Sequence, residues 1–223
     1  MKNITLIIPA KDESESLPIV LKKLKKFNLN IIVVLHKSDI KTIKSIKRFK
    51  VKILFQNGFG YGDALIKGIR SCKTELFCIF NADGSFKISE IFKMRLLLKS
   101  KKSDFIFGSR YQKNALSYDD TIITFLGNYF FTKIGQLFFN LPITDILYTF
   151  VVGRTSKAKK LNLQQKNFAF CVELPIKAVR KNMIIKSSSS IEYKRIAGEK
   201  KVNEFRDGLK ILYYMLKLLF KDD

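Results

Sequence analysis

Four short apolar runs alternate with segments of helical periodicity in the first half of this 223-residue chain, and this alternation restricts the fold more than any other feature. Residues 4–8, 31–35, 51–55 and 76–80 are apolar, apart from Thr5 and Lys52, over the length of a buried strand. Between the first two runs, helical spacing relates Leu17, Val20, Leu21, Leu24 and Phe27. After a further helical segment, residues 105–107 form a fifth run. Alternation with short links predicts a doubly wound, mainly parallel α/β sheet with helices on both faces.

The second half departs from this rhythm. Residues 122–143 are rich in Phe, Leu and Ile but include Asn128 and Lys133, which favours a buried or interfacial amphipathic helix over a spanning one. The patterns further predict a strand at 147–152, a short helix at 170–179, and an edge hairpin formed by 184–185 and 191–193.

The last segment, 202–223, has apolar residues at helical spacing with lysines on the opposite face. We therefore divide the chain into a domain at 1–201 and an amphipathic C-terminal helix at 202–223. That helix either packs on the domain or lies on a membrane surface.

The formal net charge of +23 favours a polyanionic partner: nucleic acid, an anionic membrane face or a phosphorylated substrate. The basic residues are dispersed and no nucleic-acid reader motif is recognisable, so nucleic-acid binding is the weakest of these interpretations. Three separated cysteines, without metal-binding spacing, indicate buried thiols in a reducing cytoplasm. No signal segment is recognisable and no apolar run reaches the ~18 residues of a spanning helix.

Polar residues follow the fourth strand directly, in the sequence Asn81-Ala82-Asp83-Gly84-Ser85. In an open α/β sheet, ligands bind beyond the carboxyl ends of the strands. The oxygens of Asp83, with Asn81 or Ser85, suit Mg²⁺ or Mn²⁺ held against a substrate phosphate. The same residue types also form ordinary turns, so the triplet alone does not decide between a turn and a metal site.

A glycine-rich loop, Gly58-Phe59-Gly60-Tyr61-Gly62, follows the third strand and opens a helix. Such a loop can bring backbone N–H groups and a positive helix end to a phosphate. Its position and spacing match neither a dinucleotide fingerprint nor a P-loop, which argues against NAD enzymes and NTPases.

Four motifs in this order resemble the series of family-2 glycosyltransferases with the GT-A fold: residues 8–13, the glycine loop through Asp63-Ala64, residues 81–85, and Gly108-Ser109-Arg110-Tyr111. Residues 198–208 resemble the tail of the dolichol-phosphate mannose synthase branch. The resemblance implies a cytoplasmic, metal-dependent, inverting enzyme at or near the inner membrane face. Its donor would be a GDP- or UDP-linked sugar, and its acceptor a polyprenyl phosphate or lipid-linked glycan.

The resemblance also implies roles for individual residues. Asp83, with Asn81 and Ser85, would hold the divalent ion; Arg110 would reach phosphate oxygens; and Asp145 would act as base for a hydroxyl acceptor. Apart from the resemblance, the charges of Lys194, Arg195, Lys200 and Lys201 indicate a basic rim that would attract an anionic acceptor or phospholipid headgroups, or remain merely solvated. The donor-binding set is Pro9, Ala10, Glu13, His36, Gly60, Asp63, Ala82 and Asp83.

Two departures from the family pattern keep a second interpretation open. Leu35-His36 stands where relatives often carry an acidic pair, and Asn81 replaces the first acid of the metal triplet. His36 would contact the base or be a plain loop residue. Either departure would suit a catalytically weak binding or scaffold member. Glu173, in an apolar helix, is either a further candidate near the acceptor, as the resemblance implies, or part of a structural ion pair with Arg195 or Arg206.

Overall fold

A computed structural model describes residues 3–220. Its main sheet has seven strands in the order β3-β2-β1-β4-β7-β5-β8, and only β7 runs antiparallel to its neighbours. The strands are β1 (Ile4–Pro9), β2 (Asn30–Leu35), β3 (Lys52–Phe55), β4 (Leu76–Ile79), β5 (Phe105–Ser109), β7 (Val151–Arg154) and β8 (Ile185–Ser189). A two-stranded parallel sheet joins β6 (Leu116–Ser117) to β9 (Ile191–Glu192). The prediction of a mainly parallel α/β sheet is confirmed.

Helices cover both faces of the main sheet. They are α1 (Ser16–Leu24, extended by a 3₁₀ turn at Lys25–Phe27), α2 (Ile40–Ile46), α3 (Tyr61–Ser71), α4 (Ile88–Ser100), α5 (Ile122–Phe139), α6 (Thr155–Lys159), α7 (Phe170–Arg180) and α8 (Glu204–Phe220). In β1, Leu6 and Ile8 belong to the core under α1 and α4, whereas Ile7 faces the opposite core under α3 and α7. Both faces of the strand are thus buried, which explains why its sequence is apolar except for Thr5.

Two segments differ from the strand predictions. The predicted strand at 147–152 begins only at Val151, because Leu147, Tyr148 and Thr149 line the cleft described below. The predicted hairpin does not form, because β8 pairs with β5 and β9 pairs with β6. Buried Glu90 accepts hydrogen bonds from the Ser190 hydroxyl and the Ile191 N–H, and so holds the chain where it leaves one sheet for the other.

The terminal helix α8 packs against α5 and α7 through its buried residues Ile211, Tyr214, Met215 and Leu218. The end of the predicted segment, residues 221–223, lies outside the described residues. Across residues 3–220, no helix combines the length and the hydropathy needed to cross a membrane.

Candidate active site

A cleft of about 920 Å³ opens beyond the carboxyl ends of β1, β2 and β4 and continues between α5 and α8. This is where an α/β sheet is expected to bind its ligand. Predicted site residues that line it are Pro9, Ala10, Glu13, His36, Gly60, Asn81, Ala82, Asp83 and Arg110. Three predicted site residues are not among its lining: Asp63, Ser85 and Asp145.

The Asp83 carboxylate is oriented from behind by Ser85. The Ser85 N–H and hydroxyl donate to the same oxygen, Asp83 Oδ1, at 2.9 and 2.7 Å. Ser85 is only 1% exposed, so it supports Asp83 rather than facing the cleft. Ser85 thus contacts Asp83 from outside the cleft lining, and its role as a metal ligand stays a prediction.

We call Asn81 and Asp83, which follow β4, the metal edge of the cleft. Their oxygen atoms fit a divalent cation that is shared with a substrate. Asp83 and Asn81 line the cleft and offer carboxylate and amide oxygens. Among the described residues, no group of three His, Cys, Asp or Glu side chains is placed to hold a metal ion. Mg²⁺ is often bound by one or two carboxylates together with substrate phosphates, so a complete site here would depend on the donor's diphosphate.

Tyr61 lies against the metal edge from α3. Its hydroxyl donates to Asn81 Oδ1 at 3.5 Å and shares a 2.5 Å hydrogen bond with Thr149 Oγ1. The ring stacks on Phe168 at 5.2 Å between centroids. Burial raises the pKa of Tyr61 well above its ordinary value, so the phenol stays protonated and acts as a donor.

Glu13 is the second carboxylate of this part of the cleft. Its backbone N–H donates to Thr42 Oγ1 at 2.9 Å, and its carboxylate accepts from the Ser16 hydroxyl. Burial, with a smaller contribution from the negative charge of Asp83, raises the pKa of Glu13. A cation that arrived beside Asp83 would favour the ionised form of Glu13 as well.

An aromatic pair forms the wall near the ends of β2 and β3. His36 and Phe59 stack with ring centroids 4.4 Å apart, and His36 Nδ1 lies 2.6 Å from Ser38 Oγ. Phe59 is 77% exposed although it lines the cleft. The sequence analysis did not identify Phe59 as a site residue. The feature that could have indicated it is an aromatic side chain inside a glycine-rich loop, where packing does not require one.

The glycine loop packs on protein backbone. A Cβ at Gly60, where φ is +113°, would lie 2.3 Å from the Lys166 carbonyl oxygen, and one at Gly62 would lie 2.0 Å from that of Gln165. The Asp63 N–H donates to the Lys166 carbonyl oxygen at 3.0 Å. The Asp63 carboxylate accepts from the Gly58 N–H at 3.1 Å, inside the loop. These contacts give Asp63 a structural role in the loop, and its donor-binding role stays a prediction.

Arg110 is held by three carboxylates. Its guanidinium contacts Asp145 at 2.8 Å, Asp120 at 3.3 Å and Glu192 at 3.2 Å. It also lies 4.7 Å from the centroid of the Tyr148 ring. With all four groups ionised the cluster carries two net negative charges, so Arg110 is less available to substrate phosphate than the sequence suggested.

Asp145 is the innermost member of this cluster and is 0% exposed. Its two oxygens accept from Nε and Nη2 of Arg110, and Oδ1 also accepts from Asn128 Nδ2 at 2.6 Å. Asp120 and Glu192, by contrast, line the cleft. The sequence analysis assigned neither Asp120 nor Glu192 to the site. Burial raises the pKa of Glu192, although the charge of Arg110 opposes the shift.

Basic side chains line the opposite part of the cleft. Arg195, Lys200 and Lys201 contribute to it, whereas Lys194 is not among its lining residues. Arg195 pairs with Asp119 at 3.0 Å, and Lys200 Nζ donates to the Asp119 carbonyl oxygen at 3.0 Å. Lys201 Nζ lies 3.9 Å from Asp12. Three residues of the predicted basic rim therefore face the same cavity as Asp83.

The buried Glu173 is structural, and the sequence prediction of its partner was wrong. Its carboxylate pairs with Lys177 at 3.0 Å and accepts from the Tyr214 hydroxyl at 3.2 Å. The N–H groups of Gln164 and Gln165 donate to it as well. The group therefore joins α7, α8 and the preceding loop instead of pairing with Arg195 or Arg206.

The sequence profile of Glycosyl transferase family 2 matches residues 5–161. The chain belongs to this family. The match runs from β1 to just beyond α6 and includes Asn81, Asp83 and Arg110, so the family motifs and the cleft geometry concern the same residues.

Two curated relatives are distant in sequence. The low-salt glycan biosynthesis hexosyltransferase Agl6 of Haloferax volcanii is 22% identical over 165 residues, which is 74% of this chain and 40% of that protein. The uncharacterized glycosyltransferase Rv0539 of Mycobacterium tuberculosis is 28% identical over 107 residues, or 48% of each chain. The chain spans less than half the length of these relatives.

Solved structures share the fold over the whole chain. Glucosyl-3-phosphoglycerate synthase from Mycobacterium tuberculosis, crystallised with UDP, gives a TM-score of 0.75 at 12% identity, covering 100% of this chain and 82% of that one. Mannosyl-3-phosphoglycerate synthase from Rubrobacter xylanophilus gives 0.71 at 14% identity, covering 98% and 72%. A crystal of the former with Mn²⁺, UDP-glucose and phosphoglyceric acid gives 0.74 at 11% identity, covering 100% and 81%. Identities this low establish the fold alone.

Proposed function

We propose that this chain transfers a hexose from a GDP- or UDP-linked donor to an anionic acceptor, with inversion and with the help of Mg²⁺ or Mn²⁺. The observation that carries the proposal is the Asp83 carboxylate, oriented by Ser85 and exposed to a cleft that Glu13, Asn81 and three basic side chains also line. The Mn²⁺, UDP-glucose complex of a structural neighbour supports the choice of donor and cofactor.

In this reaction the bond between the sugar carbon and the donor phosphate oxygen breaks while a bond from the acceptor oxygen forms. The electron pair of the broken bond leaves with the nucleoside diphosphate. Asp83 and Asn81 would hold the divalent ion, which neutralises negative charge on that leaving group. Tyr61, protonated and bonded to Asn81, keeps the amide oriented.

We assign Asp145 a positioning role instead of the base role that the sequence suggested. It is completely buried and bound to Arg110 through both oxygens, so it has no path to an acceptor hydroxyl. An acceptor phosphate is already ionised at neutral pH and requires no base. A phosphate nucleophile therefore does not need Asp145, whereas a hydroxyl nucleophile would need another carboxylate of the cleft as base, for which Asp120 and Glu192 are placed.

The acceptor we propose is a polyprenyl phosphate or a lipid-linked glycan, reached in the cytoplasm at the inner face of a membrane. Arg195, Lys200 and Lys201 supply positive charge in the cleft for a phosphate. The resemblance of residues 198–208 to the dolichol-phosphate mannose synthase branch supports the same class. The phosphoglyceric acid bound by a structural neighbour also carries a phosphate, which makes a soluble phosphorylated acceptor the direct competitor.

The deciding experiment measures release of UDP or GDP from a panel of nucleotide sugars, with Mn²⁺ or Mg²⁺ and with polyprenyl phosphate or phosphoglyceric acid as acceptor. We expect Asp83→Ala to abolish turnover, whereas Glu75→Ala, which removes a half-exposed surface carboxylate, should retain it. Full activity of Asp83→Ala would refute the metal assignment. Turnover only with phosphoglyceric acid would refute the lipid acceptor.

A second candidate is a binding or scaffold member of the family with little catalysis. Asn81 favours it, because the amide brings no negative charge to the metal edge. Calorimetry separates the two functions: a nucleotide sugar that binds but is never turned over, with any acceptor in the panel, would favour the scaffold.

A further inference from the structure

The cleft extends well beyond the metal edge as an apolar arm between α5 and α8. The apolar residues that line it there are Ile123, Gly127 and Phe131 from α5 and Phe205, Gly208 and Ile211 from α8, and the polar lining residues of the same helices are Thr124, Asn128 and Glu204. The six apolar residues lack polar side-chain atoms. A nucleotide sugar has no part of matching chemistry, so donor binding does not account for this arm.

Two glycines keep the arm open. A Cβ at Gly127 would meet no heavy atom within 4 Å, and one at Gly208 would meet only the Phe131 ring at 3.9 Å. Neither glycine has the backbone conformation that disfavours other residues. Glycine inside a helix costs about 1 kcal/mol relative to alanine, so helix stability does not explain these two residues. Their common feature is the cavity that they both line.

The arm begins near the basic side chains of Lys200 and Lys201. Lys200 and Lys201 line the same cleft and precede the start of α8 at Glu204 by only a few residues. The helix α5 carries one charged residue, Lys133, and no carboxylate. The cavity therefore offers cations at one part and hydrocarbon contacts in the next, which is the complement of an amphiphile with an anionic head and an apolar chain.

We propose that the arm between α5 and α8 binds the hydrocarbon chain adjoining the phosphate of a lipid acceptor, and that Gly127 and Gly208 set the width available to it. This inference rests on the proposed function and deepens it by giving the acceptor's apolar part a site. Large apolar side chains are exposed on the same two helices, including Ile122 and Leu126 on α5 and Leu209 on α8, and they suit an approach from a bilayer.

Binding of alkyl phosphates tests the arm without requiring turnover. Dodecyl phosphate, below its micelle concentration, should bind the full chain far more tightly than methyl phosphate in calorimetry. Affinity should rise by up to about fourfold for each methylene that becomes buried, until the arm is filled. An affinity that does not depend on chain length would overturn the proposal.

Paired substitutions test the two glycines. Gly127→Leu with Gly208→Leu should reduce dodecyl phosphate binding at least to the level of a short alkyl phosphate, whereas the corresponding double alanine variant should bind more tightly than the leucine variant. Leu137→Ser, which removes an exposed side chain outside the arm, should bind like the unaltered chain. Equal binding by the leucine and alanine variants would overturn the proposal, as would a loss caused by Leu137→Ser.

The tests of the arm and of the proposed function can fail separately. If the leucine variant does not fold, the chain-length series on the unaltered protein still decides whether the arm binds hydrocarbon. If chain-length dependence is found but no nucleotide sugar is turned over, the arm stands and the transferase assignment fails. Turnover of a nucleotide sugar without chain-length dependence would support the transferase assignment and overturn the arm.

Discussion

Arg110 and Asp145 form a two-point ion pair beneath the cleft, with Nε 2.8 Å from Oδ2 and Nη2 3.1 Å from Oδ1. The backbone N–H of Arg110 donates a third hydrogen bond to Asp145 Oδ2 at 3.0 Å. Planar contacts of this kind fix the orientation of a guanidinium as well as its position. The pair therefore determines where the remaining face of Arg110 meets Asp120 and Glu192 at the cleft wall.

We predict that Asp145→Asn destabilises the protein by about 3 kcal/mol, because it leaves the buried Arg110 without its main counter-charge. Urea denaturation would measure the loss. Glu75→Gln, which alters an ion pair of half-exposed side chains, should change the free energy of unfolding by less than about 1 kcal/mol. If both variants lost the same small amount, Asp145 would not be the structural support described above.

Most of the main sheet follows from periodicity, because a parallel strand buried on both faces must be apolar throughout. The predictions of local structure and of ion-pair partners are wrong where side chains contact residues that are distant in sequence. Residues 147–149 have strand-like composition, yet Tyr148 packs over Arg110 and Thr149 bonds Tyr61, contacts that no local pattern encodes. The position of Glu173 in an apolar helix likewise indicated that its carboxylate has a partner, but the sequence alone did not identify Lys177 and Tyr214 as those partners.

The site shows the same division. The ends of β1 and β4 could be predicted to meet, because neighbouring parallel strands end at one edge of the sheet. The sequence did not reveal that the backbone of residues 165–167 packs against Gly60 and Gly62, where a side chain would clash. It also did not reveal that Asp120 and Glu192 both form ion pairs with Arg110. Both arrangements depend on loops far apart in sequence.

Asn81→Asp should strengthen metal binding by about tenfold, since cation affinity rises with the number of charged ligands. The Tyr61 hydroxyl can donate to the new carboxylate as it does to the Asn81 oxygen, so little rearrangement is expected. Titration of Mn²⁺ in the presence of UDP would measure the change. An unaltered affinity would mean that residue 81 does not contact the cation.

Gly62→Ala should destabilise the protein by about 2 kcal/mol, because the added methyl group would meet the backbone carbonyl oxygens of Gln165 and Asn167 at 2.0 and 2.8 Å. Gly127→Ala is the matched control: its methyl group enters open space, and improved helix propensity should stabilise the protein by up to about 1 kcal/mol. Thermal denaturation would compare them. Similar melting temperatures of the two variants would show that the glycine loop can shift away from residues 165–167 and accommodate the added methyl group at little cost.

Glu13→Gln should make the protein more stable at neutral pH, at the expense of activity. Burial raises the Glu13 pKa above its ordinary value of 4.5, and the Asp83 charge adds to the shift. Between the two values the folded state holds a proton that the unfolded state has lost, so stability falls as pH rises through that window.

Glutamine cannot ionise, so the advantage of Glu13→Gln should be present at pH 7 and vanish below about pH 4, where both states of the unaltered chain are protonated. Urea denaturation of both proteins across this range would measure the difference. A variant less stable than the unaltered chain at pH 7 would contradict the assigned direction. Because bound cation lowers the cost of ionising Glu13, saturating Mn²⁺ and nucleotide should shrink the variant's advantage.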